Sequence, residues 1–190
     1  MGRWEPNARG RLAQAALELY IEHGFEQTTV AKITERAGLT ERTFFRHFAD
    51  KREVLFAGTG RMLDHCVSAV AEAPDAATPM EMIAAALDAM ATEFQGRAEL
   101  IRQRQAVIDA HPELRERELI KLATWAAALT DAMRRRGVDE LTAHLTAETG
   151  IAVLKVAFAR WIAEAESGQR PLAQLIGECL DTLGTVTASR

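Results

Sequence analysis

An all-α fold is predicted by three features of the sequence. Residues that lose little freedom in a helix (Ala, Leu, Glu, Arg, Met) dominate, while aromatics make up 6% and tyrosine occurs once. Apolar residues recur at helical spacing in segment after segment, giving each an apolar face. Threonines, aspartates, prolines and glycines stand where such segments would start and stop. At 190 residues the chain can build one sizeable core or two small ones. The spacing gives nine helices, divided into an N-terminal domain over 1–50 and a C-terminal domain over 51–190, with the fourth helix (50–73) connecting them.

The first helix spans Asn7 to Gly24, with Leu12, Ala15, Ala16, Leu19 and Tyr20 as its apolar stripe. Arg3, Arg9 and Arg11 precede or open it; they either reach phosphates or a minor groove, or form a solvated frayed end. The second helix begins after Thr28, whose hydroxyl can cap free N–H groups, and buries Val30, Ile33 and Ala37. Gly38 stops it where a left-handed residue is needed. Thr40 caps the third helix, Glu41 to Phe48, which buries Phe44 and Phe48 and leaves Glu41, Arg42, Thr43, Arg46 and His47 on other faces. A short helix so armed suits the major groove of DNA.

Asp50-Lys51-Arg52-Glu53 reads as a capping box opening a long fourth helix to about Ala73. Lys51 in a first turn opposes the helix dipole, which a DNA phosphate would explain. Pro74 to Thr78 is a linker, and Thr78-Pro79-Met80-Glu81 a second capping box. A fifth helix follows, then a sixth from about Arg97 to Ala110, and a seventh from about Pro112 to Arg136. Arg134-Arg135-Arg136 is read as complementing the dipole at that helix end rather than as a nucleic-acid patch. The eighth helix runs from about Asp139 to Ser167, with Gly150 loosening its first turns, and the ninth from Pro171 to about Thr187. The last two helices are apolar on adjacent faces. They are assigned to a four-helix dimer seam through Leu154, Ala157, Leu172, Leu175, Ile176, Cys179 and Leu183.

Formal net charge is −4, which argues against a non-specific nucleic-acid coat. Its distribution is uneven. Residues 1–60 hold nine Lys/Arg against eight Asp/Glu, the remainder fourteen against nineteen. That asymmetry has the sign of an N-terminal DNA reader on an acidic body. Cys66 and Cys179 lack Cys or His neighbours at metal spacing and are read as small apolar fillers in a reducing cytoplasm, with redox sensing as the alternative. No apolar run is long enough to span a membrane, and the N-terminus lacks the apolar core of a signal peptide. The five histidines are scattered. No nucleophile elbow, phosphate loop or metal-ligand spacing occurs, so neither catalysis, a metal nor a cofactor is expected.

Gly-Leu-Thr (38–40), Thr-Phe-Phe-Arg-His-Phe (43–48) and Asp-Lys-Arg-Glu-Val-Leu (50–55) together resemble the DNA-binding end of the TetR family of bacterial repressors, in which the segment reads approximately G-V-S-x-x-T-L-Y-x-H-F-x-S-K-E-x-L. The resemblance spans about the first 55 residues. It implies a three-helix head, dimerisation through the last two helices and an effector site in the body. The candidate DNA-facing set is Thr28, Thr29, Thr40, Glu41, Arg42, Thr43, Phe45, Arg46, His47 and Lys51. Two residues depart from the family. Phe45 replaces a Tyr whose hydroxyl meets a phosphate, and Thr34 replaces an Ala packed between the helices.

Met82, Ala86, Met90, Phe94, Ile101, Arg102, Gln105, Leu122, Trp125, Leu129, Phe158 and Trp161 are the candidates to line an effector cavity. Taken singly, each of the apolar ones reads first as plain core, because apolar residues at helical spacing usually just pack. Glu99-Leu-Ile-Arg-Gln-Arg, His111-Pro-Glu-Leu-Arg-Glu-Arg and Ala159-Arg160-Trp161 resemble the actinobacterial branch that includes mycofactocin-type regulators. That resemblance implies an acyl-CoA-like ligand in an apolar tunnel, with Arg97, Arg102 or Arg104 as phosphate partners at its mouth. The expected function is a dimeric regulator, most simply a repressor, released from a near-palindromic operator by an apolar effector. The alternative is an all-helical small-molecule-binding protein without DNA activity, for which Phe45 is the one sequence hint.

Overall fold

The computed structural model describes residues 7–94, 96–164 and 170–188. Among them are nine α-helices and one 3-10 turn: α1 (Ala8–His23), α2 (Val30–Ala37), α3 (Glu41–His47), the turn Glu53–Phe56, α4 (Thr59–Glu72), α5 (Pro79–Phe94), α6 (Ala98–Asp109), α7 (Pro112–Arg135), α8 (Glu140–Ala163) and α9 (Leu172–Ala188). No strand occurs among the described residues, and no described helix is long and apolar enough to cross a membrane. The helices form two compact units. One runs to Thr59 and takes in Leu100–Arg115; the other holds Gly60–Glu99 and the chain from Glu116 onward.

The first unit is built around Leu12, Tyr20, Phe25, Ile33, Phe44, Phe48, Val54, Leu55 and Phe56, with Val107, Ile108 and Leu114 contributed from much later in the chain. Helices of eight and seven residues, such as α2 and α3, are too short to persist alone. Ile33 and Phe44, both fully buried, each contribute about 1.5–3 kcal/mol on leaving water. Packing, not propensity, therefore holds the pair.

The fourth helix does not begin at Asp50. Asp50 Oδ1 accepts the backbone N–H of Arg52 (2.8 Å) and Glu53 (3.2 Å), which leads the chain into the 3-10 turn and not into α4. Gly58 then takes φ +90°, and α4 starts at Thr59. Val54, Leu55 and Phe56 are consecutive and all buried. A helix running on from Asp50 could not keep three successive apolar residues in one core on one face.

In the second unit, α5, α8 and α9 pack on one another. The Thr78–Glu81 capping box forms as expected. Thr78 N–H donates to Glu81 Oε2 (2.7 Å), and Glu81 N–H to Thr78 Oγ1 (3.3 Å). Asp139 caps α8 through Thr142 N–H (3.0 Å). Gly150 does not loosen α8, which is continuous through it. A Cβ on Gly150 would lie 2.3 Å from Ile83 Cγ1, so the missing side chain is what lets α8 approach α5. The expected end of α8 at Ser167 lies outside the described residues. Arg136 does not serve its own helix. Its Nη1 donates to the carbonyls of Val70 (2.9 Å), Ala71 (3.0 Å) and Ala73 (2.8 Å), and its Nη2 to Pro74 (3.0 Å), closing the end of α4.

Five of the seven residues expected in a dimer seam are core of a single protomer. Leu154, Ala157, Leu172, Leu175 and Ile176 are all buried within it, and Cys179 and Leu183 are partly covered. Leu141, Leu145 and Val156 on α8 and Val186 on α9, each more than half exposed, carry the outward apolar surface instead.

Candidate nucleic-acid interface

The helix-turn-helix is assembled from local caps. Thr29, one residue later than expected, is the N-cap of α2 and accepts Lys32 N–H (3.3 Å). Thr28 is fully buried, and its hydroxyl is shared between the carbonyls of Leu19 (3.2 Å) and Gly24 (2.9 Å). It ties the end of α1 to the start of α2 and offers DNA no surface. Gly38 closes α2 at φ +63°, and Leu39 N–H reaches back to Thr34 O (2.8 Å). Thr34 fits where a smaller residue is expected because its hydroxyl donates to Ala31 O (2.9 Å) one turn back. Arg11 extends from α1 to the carbonyl of Ala37, capping α2 from outside.

Thr40 caps α3, accepting Thr43 N–H (3.2 Å) and lying 3.1 Å from the Thr43 hydroxyl. Phe44, fully buried, pins the helix with Phe48 beside it, rings 5.6 Å apart. That anchoring turns Glu41, Arg42, Phe45 and Arg46 outward; all four are exposed. Thr43 and His47 sit half-buried at the margins of the face. His47 Nε2 is buried without a hydrogen-bond partner. Burial, with Arg46 and Arg9 nearby, holds the imidazole below its ordinary pKa and so neutral. The Arg9 guanidinium lies 5.0 Å from the centre of the Phe48 ring, which places a second cation beside the same margin.

Lys51 is not in a helical first turn. Its ammonium donates to Phe25 O (2.8 Å), Thr28 O (3.1 Å) and Glu26 O (3.4 Å) and lies 4.3 Å from the Phe25 ring centre. The Tyr20 hydroxyl donates to Lys51 O (2.6 Å), and burial and the Asp50 charge push that phenol upward, so it stays a neutral donor. Lys51 thus staples the α1–α2 turn. Sequence reasoning missed this because the carbonyls it serves are some 25 residues away in the chain. Two more arginines are engaged on the surface: Arg36 pairs with Glu22 (2.7 Å), and Arg52 with Asp50 (2.7 Å). Arg3 lies outside the described residues.

The candidate effector residues divide between the units. Met82, Ala86, Met90, Trp125, Leu129 and Trp161 are buried in the second unit, with Phe94, Leu122 and Phe158 partly covered. Phe94, Phe158 and Trp161 form a ring cluster with centroids 5.9–6.2 Å apart. Ile101, Arg102 and Gln105 belong to the first unit, where Gln105 Nε2 donates to Asp109 (2.9 Å). Arg104, expected beside a phosphate, donates to Leu55 O (2.6 Å) and lies over the Phe56 ring.

Residues 12–57 match the bacterial regulatory proteins of the tetR family, and residues 77–188 match the MftR C-terminal domain. MftR of Mycobacterium tuberculosis, named for regulation of mycofactocin biosynthesis, is 24% identical over 97% of this chain and 93% of its own length. The transcriptional regulator TcmR of Streptomyces glaucescens is 35% identical over 43% of this chain and 36% of its own length. In fold, the chain is similar to the transcriptional regulator FadR of Bacillus subtilis, solved in complex with stearoyl-CoA (TM-score 0.61, 19% identity, 92% of this chain and 96% of that one). The second of the two domain matches covers more than half of the chain, and with the helix-turn-helix it establishes that this protein is a transcriptional regulator of the TetR family with an MftR-type C-terminal domain.

Proposed function

We propose that the protein is a cytoplasmic repressor that binds a near-palindromic operator as a homodimer and is released by an apolar effector of the acyl-CoA class. The observation that carries the DNA part is the outward face of α3, where Arg42, Phe45, Arg46 and Glu41 are exposed while Phe44 anchors the helix from behind. Thr29, Thr40, Thr43 and His47 flank that face as phosphate or base partners. Thr28 and Lys51 are dropped from the contact set because both are committed to backbone carbonyls.

Two-fold symmetry would present the α3 helices about 34 Å apart, one duplex turn. On α8 and α9, Leu141, Leu145, Val156 and Val186 are the large apolar residues left exposed, and they are assigned to the partner. The effector class is supported by the apolar, ring-lined interior of the second unit and by the acyl-CoA complex of FadR. Effector and operator would oppose each other through a reciprocal coupling of about 1–3 kcal/mol.

The test is a titration of full-length protein into duplexes from the DNA upstream of its own gene, with and without stearoyl-CoA. Specific binding that weakens with salt, and weakens again with the acyl-CoA, is the expected result. Absence of specific binding to any fragment rejects the regulator mechanism; binding indifferent to acyl-CoA rejects only the effector class.

A further inference from the structure

Phe45 is 55% exposed on a helix whose other outward side chains are charged. Its ring stands edge-on to the buried Phe44 ring, centroids 5.4 Å apart and planes at 80°. Three residues after Arg42, it shares the outward face of α3 with that side chain. A phenyl ring there has no donor for a phosphate and none for a polar base edge. Left in water it gains nothing; covered by an apolar group it is stabilised. Among the base edges displayed in the major groove, the C5-methyl of thymine is the apolar one.

We propose that Phe45 is a specificity-determining residue whose ring packs on the C5-methyl of one thymine in each operator half-site. Sequence is read at that position by apolar contact, with Arg42 and Arg46 supplying charge on either side. This inference rests on the DNA-reading role proposed above.

The experiment is a uracil scan. Duplexes enriched from a random pool by the full-length wild-type protein are resynthesised with each half-site thymine replaced singly by deoxyuridine, which deletes one methyl group. At one position per half-site the wild type should lose about fourfold in affinity, the equivalent of one buried methylene-sized group. Phe45→Ala should show no loss at that position, while Phe45→Leu, which keeps an apolar side chain, should retain it. A flat scan for the wild type, equal losses in wild type and Phe45→Ala, or an enriched site without thymine in its half-sites overturns the inference while leaving DNA reading intact. Failure to enrich any duplex overturns both.

Discussion

The first unit and the α5–α8 contact of the second are held by different means. In the first, side chains reach over long stretches of sequence to individual backbone groups: Lys51 to the turn at residues 25–28, Arg11 to Ala37, Arg104 to Leu55. In the second, α5 and α8 meet through apolar surface with Gly150 set against Ile83, while Arg136 reaches the carbonyls at the end of α4 and Arg160 pairs with Glu178 (2.9 Å) between α8 and α9. Hydrogen bonds to named carbonyls specify position; close-packed apolar faces specify volume. A surface that must present side chains to base edges needs the first kind of order. An interior that accommodates an apolar effector is compatible with the second.

Four variants break or sharpen that contrast. Phe44→Ala should have the largest effect, about 3–5 kcal/mol on thermal or denaturant unfolding, because it empties the centre of the first unit beneath α3. Gly150→Ala tests the second unit. Helix propensity alone would stabilise by about 1 kcal/mol, whereas the 2.3 Å approach to Ile83 Cγ1 predicts a loss of about 1–3 kcal/mol. The sign of the change in melting temperature decides, and Gly150→Ala combined with Ile83→Ala should recover part of the loss.

Lys51→Met and Arg42→Ala make a contrasting pair. The first should destabilise by about 1–2 kcal/mol by leaving three carbonyls without their donor, with an unchanged salt dependence of operator binding. The second should leave stability unchanged and lower the salt slope by about one. Reversal of those outcomes would return Lys51 to the phosphate-contact set.

The smallest effect concerns pH. His47 is held below its ordinary pKa of 6.5 in the folded protein, so its neutral form contributes stability that is present above that value and lost as pH falls through the folded one. A phosphate beside the ring would reverse the bias and draw a proton onto it. Operator affinity should therefore rise modestly from pH 7.5 to 6, and His47→Gln should flatten that rise.

Much of the first unit was legible in the sequence because its signals are local. Gly38 needs its positive φ, Thr40 its cap, and Phe44 and Phe48 their spacing. The errors arose where two local readings were chemically equal. Thr28 and Thr29 can both cap; only burial separates them. Asp50 and Glu53 fit a capping box, but Gly58, eight residues after Asp50, was the stronger statement. In the second unit, periodicity reveals that Leu154, Leu172 and Leu175 are covered without revealing by what. A face buried by α5 reads the same as one buried by another protomer. At Gly150 propensity points to a loosened helix, but the deciding quantity is the distance between two helices.

The grip of Arg136 on the end of α4 has a further consequence. It holds main-chain oxygens of Val70, Ala71, Ala73 and Pro74 and asks nothing of those side chains beyond their place in the chain. Apart from Asp75, whose carboxylate lies 3.8 Å from Arg136 Nη2, the segment 71–77 can change in composition while remaining intolerant of insertion or deletion. A single inserted residue would carry the carbonyls out of register with a planar fork that cannot follow them.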